Sequence, residues 1–311
     1  MSLRPPQPLH PPASSWRGLL RRALDEDLGP GDLTSHLTLA SDLEVEAVVV
    51  ARSELVVCGL TLAASAFAEV DPRIRFEAAL QEGASASSDA PLAFVSGPAR
   101  GVLTAERTAL NFLGRMSGVA TQTRRFVERV AGTGAEIVDT RKTLPGWRVL
   151  DKYAVAVGGG TNHRGGLFDA VLVKDNHIAA AGGVAAAVEA ARRGIPAHLW
   201  LQVEVETEAD AEAALEAGAD ALLLDNRSPE ELRRLVARFG ARTTLEASGG
   251  INLETVREIA EAGVHRISIG ALTHSACWAD VSLEVRQGSA TPGRQRPQRR
   301  EEPPAGDGVQ A

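Results

Sequence analysis

The stretch Leu199-Trp200-Leu201-Gln202-Val203-Glu204, the alanine-rich Glu208–Ala217 after it, and then Ala221-Leu222-Leu223-Leu224-Asp225 decide the fold. Two short apolar runs, each ending in a carboxylate, flank one helical segment. This is the βα rhythm of a parallel sheet covered by helices. Working outward, further strands are predicted at Glu136–Asp139, Ala170–Lys174, Thr244–Ala247 and Ile267–Gly270. Helices are predicted at Val184–Arg193, Pro229–Phe239 and Leu253–Ala262. Six clear units, with an ambiguous one near Gly158–His163, fit an incomplete parallel α/β barrel; a doubly wound open sheet is the competing topology. The strand ends favour the barrel. Asp139-Thr140-Arg141-Lys142, Lys174, Glu204, Asp225, Ser248 and Gly270 all fall at or just past a strand's C-terminal end. In a βα barrel those ends converge on one mouth, where the chemistry sits.

The N-terminal half reads differently. A helix over residues 14–28, capped by Ser14 or Ser15, precedes β-branched stretches at Val45–Val50, Leu55–Val57, Ile74–Phe76 and Leu92–Val95. A helical segment, Leu60–Glu69, lies among them, which makes an α+β domain. A long helical region runs from Leu103 to Val130, with an interruption expected near Gly118. The expected organisation is a disordered tail over 1–13, an α+β domain over 14–130, a barrel over 131–285 and a disordered tail over 286–311. The first helix has the option of packing back on the barrel. Both tails are proline-rich. The C-terminal one carries Arg294, Arg296, Arg299 and Arg300, readable as a solvated tail or as a polyanion-binding one.

The chain has 311 residues, 44% of them hydrophobic and 23% charged, the profile of a soluble globular protein. No apolar run approaches the about 18 residues a membrane span needs. The proline-rich N-terminus has no apolar h-region, so a cytoplasmic protein is expected. Two cysteines, Cys58 and Cys277, make neither a disulfide framework nor a four-ligand zinc site. A net charge of −7 argues against a nucleic-acid coat. Any bound anion must therefore be held by a local cluster. All three lysines, Lys142, Lys152 and Lys174, lie within one short window. With Arg141, Arg148 and Arg164 they face Asp139, Asp151 and Asp169, a local charge of +3. A solvated basic face is the plain reading. The glycines and short apolar runs around these charges argue for a pocket instead.

Ser248-Gly249-Gly250 and Ile269-Gly270-Ala271-Leu272 follow consecutive strands. Either is readable as a turn; paired at a barrel mouth, they form the backbone cradle that binds a sugar phosphate. Glu204 and Asp225 end adjacent strands. They are placed either for salt bridges or to hold sugar hydroxyls and Mg²⁺, which takes few carboxylates plus substrate oxygens. Arg141, Lys142, His163, Arg164 and Lys174, with Arg107 from the N-terminal half, suit a small ligand carrying several negative groups. His163 is equally readable as a structural histidine.

These motifs resemble one family. The resemblance rests on Asp139-Thr140-Arg141-Lys142-Thr143-Leu144-Pro145-Gly146, Lys152-Tyr153-Ala154-Val155, Gly158-Gly159-Gly160, Asn162-His163-Arg164 and Val173-Lys174-Asp175-Asn176-His177. Together they are similar to the quinolinate phosphoribosyltransferases, the carboxylating nicotinate-nucleotide pyrophosphorylases of de novo NAD synthesis. Glu106-Arg107-Thr108, Ser117-Gly118-Val119-Ala120-Thr121, Glu246-Ala247-Ser248-Gly249-Gly250 and Gly270-Ala271-Leu272-Thr273-His274 extend the match over residues 15–285. Trp147 and Phe168 depart from it, standing where smaller or aliphatic residues are expected.

The resemblance implies a sandwich-like N-terminal domain beside an incomplete TIM-like barrel, in a homodimer or a trimer of dimers. It implies transfer of phosphoribosyl from phosphoribosyl pyrophosphate to quinolinate with loss of CO₂. Arg107 would reach from the partner subunit and join Thr140, Arg141, His163, Arg164 and Lys174 in holding quinolinate. Lys142 and Lys174 would face the pyrophosphate. Glu204 and Asp225 would engage ribose hydroxyls and Mg²⁺. Ser248, Gly249, Gly250, Gly270, Ala271 and Leu272 would hold the 5-phosphate, and His274 would also bind phosphoribosyl pyrophosphate. The catalytic assignment is Lys142, Lys174, Glu204 and Asp225, with neither membrane nor nucleic acid as partner. The alternatives are a related phosphoribosyltransferase of another substrate, a Schiff-base aldolase using Lys174, and a non-catalytic phosphosugar binder.

Overall fold

The structure is a computed structural model that describes residues 8–286. A four-stranded sheet, a six-stranded sheet and a small two-stranded one organise it. In chain order the first half runs α1 (Arg17–Leu28), α2 (Leu33–Thr38), β1 (Glu44–Ala51), β2 (Leu55–Val56), α3 (Leu60–Val70), β3 (Arg75–Ala78), β4 (Ser85–Ala86), β5 (Pro91–Pro98) and α4 (Ala99–Arg129). β1 pairs antiparallel with β5, and β5 with β3. Ala47, Val49 and Ala51 alternate inward along β1 and are buried, the period of two that a one-sided sheet demands. Phe67 of α3 and Phe112, Leu113 and Met116 of α4 fill the core beneath. α1 packs on α3 and α4, within this half of the molecule.

The start of the chain differs from expectation. Neither Ser14 nor Ser15 caps α1: the N-cap is Trp16, and Ser15 Oγ donates to the Pro12 carbonyl at 2.7 Å. The buried Trp16 indole holds the chain instead, donating from Nε1 to the Pro11 carbonyl at 3.1 Å. Residues 8–13 belong to the expected tail, yet the His10 ring meets Tyr153 edge-on at 4.9 Å. Residues 1–7 and 287–311, with the arginines of the C-terminal tail, lie outside the described residues.

α4 runs unbroken for 31 residues through the expected interruption. Gly118 is there for close approach: a Cβ at that position would collide with the Cys277 carbonyl oxygen. One turn earlier the Gly114 carbonyl accepts the Ala279 N–H at 2.9 Å. The segment after Cys277 thus crosses α4 directly, which outweighs the roughly 1 kcal/mol that a mid-helix glycine costs.

The second half runs β6 (Glu136–Val138), α5 (Arg148–Gly158), β7 (Val171–Val173), α6 (Asp175–Ala181), α7 (Val184–Gly194), β8 (Leu201–Glu204), α8 (Glu208–Glu216), β9 (Ala221–Asp225), α9 (Pro229–Phe239), β10 (Thr244–Ser248), α10 (Val256–Glu261), β11 (Arg266–Ser268), α11 (Ala271–His274) and β12 (Val281–Val285). β6 to β11 form one parallel sheet in the order β6-β11-β10-β9-β8-β7. The helices start where their caps say. Thr207 and Ser228 close capping boxes with Asp210 and Glu231, and Pro229 stands at the first turn of α9.

The barrel is incomplete between β6 and β7. The ambiguous unit near residue 158 is the end of α5, followed by a single parallel bridge from Thr161 to Val138. One further correction concerns the far end. β12 leaves the barrel and pairs antiparallel with β1, with Leu283 opposite Val49 and Val281 opposite Ala51. Residues 281–285, expected in the barrel, thus belong to the first sheet. The alternation of Val281, Leu283 and Val285 with polar residues is the strand signal for it.

Candidate active site

The strand ends converge. A cavity of about 400 Å³ opens at the C-terminal end of the parallel sheet. Thr140, Arg141 and Lys142 reach it after β6, and Lys174 after β7. Asp225 ends β9, Ser248 ends β10 with Gly249-Gly250 after it, and Gly270, Ala271 and His274 follow β11. His163 and Arg164 enter from the loop before β7. Of the residues assigned from the sequence, Glu204, Leu272 and Arg107 are outside the lining. Glu204 stands just behind it, its Oε2 3.0 Å from Lys174 Nζ. Leu272 is a core residue with no exposed surface, because α11 turns its apolar face inward. Arg107 is exposed on α4.

Beneath the rim lies a buried ion pair. Asp139 has no exposed surface; its Oδ1 lies 2.5 Å from Lys152 Nζ and accepts the His163 N–H at 2.8 Å. Lys152 Nζ also donates to the His163 carbonyl at 3.0 Å. Burial pushes the Asp139 carboxyl up from its ordinary pKa, and Lys152 opposes that shift. Together the pair pins the loop that carries His163 and Arg164 onto the end of β6.

His163 has both ring nitrogens engaged within the protein. Nδ1 accepts the Arg164 N–H at 2.7 Å; Nε2 lies 2.9 Å from Gln202 Oε1 and 3.5 Å from Glu246 Oε2. Burial pulls the imidazole pKa down, but Glu246 and Gln202 pull it up by more. The Nδ1 acceptor role works against protonation, since a protonated ring would lose it. His163 thus reaches the cavity wall with its ring held from behind by Gln202 and Glu246.

The other cations are free to meet a ligand. Asp139 is taken by Lys152, Glu204 by Lys174 and Asp151 by Arg115. Among the described residues Arg141, Lys142 and Arg164 have no ion pair within 4.0 Å. Burial and the neighbouring Arg141 guanidinium depress the Arg164 pKa, with Asp169 opposing them, so the two arginines repel one another in a part-buried wall. Arg141 Nε is buried without a partner. An anion entering here finds its counter-charges already assembled.

The glycines are sterically required where the loops turn back. Gly249, at φ +93°, is left-handed, and a Cβ there would strike the Asn226 amide. A Cβ on Gly270 would stand 2.9 Å from Lys142 Cδ, so the lysine stem lies across this loop only because the residue is glycine.

Sequence reading missed part of the floor. Leu172, Leu223, Glu246 and Ser268 line the cavity, each two residues before an assigned strand-end residue: Lys174, Asp225, Ser248 and Gly270. A strand's period of two puts them on the same inward face, and that signal finds all four.

A family model described as "Quinolinate phosphoribosyl transferase, N-terminal domain" matches residues 32–117, and one for the C-terminal domain matches residues 119–284. The chain belongs to the quinolinate phosphoribosyltransferase family. A nicotinate-nucleotide pyrophosphorylase [carboxylating] of Mycobacterium leprae is 43% identical, covering 86% of this chain and 96% of that protein. A probable one of Bacillus subtilis is 40% identical over 86% of this chain and 92% of its own length. Among solved structures, the nicotinate-nucleotide pyrophosphorylase of Francisella tularensis superposes with a TM-score of 0.85 at 37% identity, covering 89% of this chain and 98% of that one. The family's two-domain, TIM-like architecture is the one described above, and the cavity lies within its C-terminal domain match.

Proposed function

We propose that this cavity transfers the phosphoribosyl group of phosphoribosyl pyrophosphate to the nitrogen of quinolinate, with decarboxylation to nicotinate mononucleotide, pyrophosphate and CO₂. The observation that carries the reading is the convergence of Arg141, Lys142 and Arg164, unpaired among the described residues, on one cavity beside a glycine-rich phosphate cradle. Arg141 and Arg164 hold the two carboxylates of quinolinate through forked N–H donors. Lys174 stands beside them, its ammonium steadied by Glu204. Ser248–Gly250 and the 270–274 loop hold the 5-phosphate with backbone N–H groups, and His274 closes that end.

The reaction needs no enzyme nucleophile. As the ribose C1–O bond stretches, negative charge gathers on the leaving pyrophosphate and Lys142 offsets it. Positive charge develops at C1, as in glycoside chemistry, and the carboxylate of Asp225 at the cavity wall favours it electrostatically. The pyridine nitrogen bonds to C1 from the opposite face. Its positive charge then stabilises the carbanion left when the 2-carboxylate departs as CO₂, and a proton takes that place.

Mg²⁺ fits the donor set. Among the described residues no cluster of three or more His, Cys, Asp or Glu side chains could hold a metal on its own. Two carboxylates supplemented by substrate oxygens are the usual arrangement for this hard cation. Glu204 and Asp225 would hold it, and it would neutralise pyrophosphate charge. A homodimer, alone or in a trimer of dimers, accounts for Arg107, whose exposed guanidinium would complete the neighbour's cavity. The exposed apolar side chains Leu33, Leu37, Leu167 and Phe168 suit such an interface.

The test is direct. Pure protein with quinolinate, phosphoribosyl pyrophosphate and Mg²⁺ is expected to release CO₂ and mononucleotide in equal amounts. Protein that binds phosphoribosyl pyrophosphate yet releases no CO₂ overturns the reading.

A further inference from the structure

Two strand-end segments of the cavity, 140–144 after β6 and 270–274 after β11, are tied together from behind. Thr273, with no exposed surface, donates from Oγ1 to the Lys142 carbonyl at 2.8 Å. Lys142 N–H in turn donates to Thr140 Oγ1 at 3.1 Å, and the Lys142 stem lies over Gly270. A second tie runs deeper. Arg115 of α4 donates to the Thr273 carbonyl and, at 3.0 Å, to Asp151 Oδ1, while Asp151 Oδ2 accepts the Leu144 N–H at 3.2 Å. Thr273, Arg115 and Asp151 are buried behind the cavity wall and do not line it.

We propose that Thr273 is a positioning residue that locks Lys142 to the loop cradling the 5-phosphate, and thereby fixes the distance between the two phosphate-binding ends of the site. This rests on the proposed place of Lys142 at the pyrophosphate. Phosphoribosyl pyrophosphate carries its 5-phosphate and its pyrophosphate at opposite ends of one ribose. A lysine anchored to the cradle meets the leaving group at a set distance once the cradle is filled. The tie acts on Lys142 more than on quinolinate: Arg164 comes from another loop, and Arg141, next in the chain, is held separately by Arg148, which donates to its carbonyl at 3.4 Å. Arg115 and Asp151 hold the same two segments from below, so the hydroxyl tie is removable without releasing the loops altogether.

Thr273→Val removes the hydroxyl at nearly constant volume, and Thr273→Ser keeps it. T273V is expected to lower kcat by about 10- to 100-fold, the scale on which small misplacements act. The quinolinate KM should stay within about twofold, and T273S should restore most of kcat. In a Lys142→Ala background the same T273V change should cost almost nothing further, because the side chain it positions is gone; a merely structural role would cost the same in both. If T273V does not fold, Thr273→Ala is read in its place through the same cycle. The proposal is overturned if T273V keeps wild-type kcat, if T273S is as impaired as T273V, or if the loss is undiminished in K142A. Failure of the functional reading is distinguishable, because it shows as wild-type protein that releases no CO₂ from quinolinate.

Discussion

Lys152 and Lys142 come from the same short basic window and meet opposite fates. Lys152 is buried against Asp139 at 2.5 Å and also bonds the His163 carbonyl, so its charge is spent on the architecture of a loop. Lys142, with Arg141 and Arg164, faces the cavity with no ion pair within 4.0 Å among the described residues. A paired charge inside a protein stabilises a shape; an unpaired one at a cavity wall is a standing demand for an anion. Arg148 belongs with Lys152: it donates to Thr143 Oγ1 and to the Gly165 carbonyl, and lies outside the lining.

The contrast is tested most severely at the buried pair. Lys152→Met strands the Asp139 carboxylate and is expected to cost about 3–5 kcal/mol of stability, read by urea unfolding. Adding Asp139→Asn should return part of that loss; a double variant no more stable than the single would mean the pair is not what holds the loop. At the cavity the ranking inverts. Arg141→Ala or Arg164→Ala should lose about 2–5 kcal/mol of apparent quinolinate binding, seen as a raised KM. Unfolding should move by no more than about 0.5 kcal/mol, as for surface changes. Equal loss of saturation by both substrates would contradict the division of labour.

A smaller, partial effect tests the sharing of sites. Arg107→Ala and Lys174→Ala subunits, each inactive alone, should regain part of the activity when mixed, since one cavity of a mixed dimer is then intact. Verified mixed dimers with no recovery would remove Arg107 from the neighbour's site. The smallest effect is that of salt. Raising ionic strength from about 0.05 to about 0.5 M should raise the quinolinate KM a few-fold while the melting temperature barely moves, because exposed attraction is screened and the buried pair is not.

Much of the barrel was legible because strand, helix and cap signals are local. The six parallel strands fall within a few residues of where apolar runs place them, and the capping boxes at Thr207 and Ser228 open α8 and α9. The meeting of the polar strand ends at one cavity was legible too, since strand ends must meet once a barrel is assumed. Other features were not local. β12 finds its partner in β1, more than two hundred residues away in the chain. Gly118 reads as a helix breaker until the crossing of Cys277 supplies its reason. Trp147, at odds with the family pattern, stacks on Phe112 at 4.8 Å and joins the barrel to α4.

By itself the sequence determined the alternation of strands and helices, the polar strand ends, the glycine-rich turns and the family they belong to. All of these are carried by residues near one another in the chain. Only the tertiary structure decided which cations are quenched and which stay open, that His163 is held by Gln202 and Glu246, and that Thr273 grips Lys142. Charge pairing and desolvation depend on distances between residues brought together from different strands, and no spacing along the chain encodes those distances.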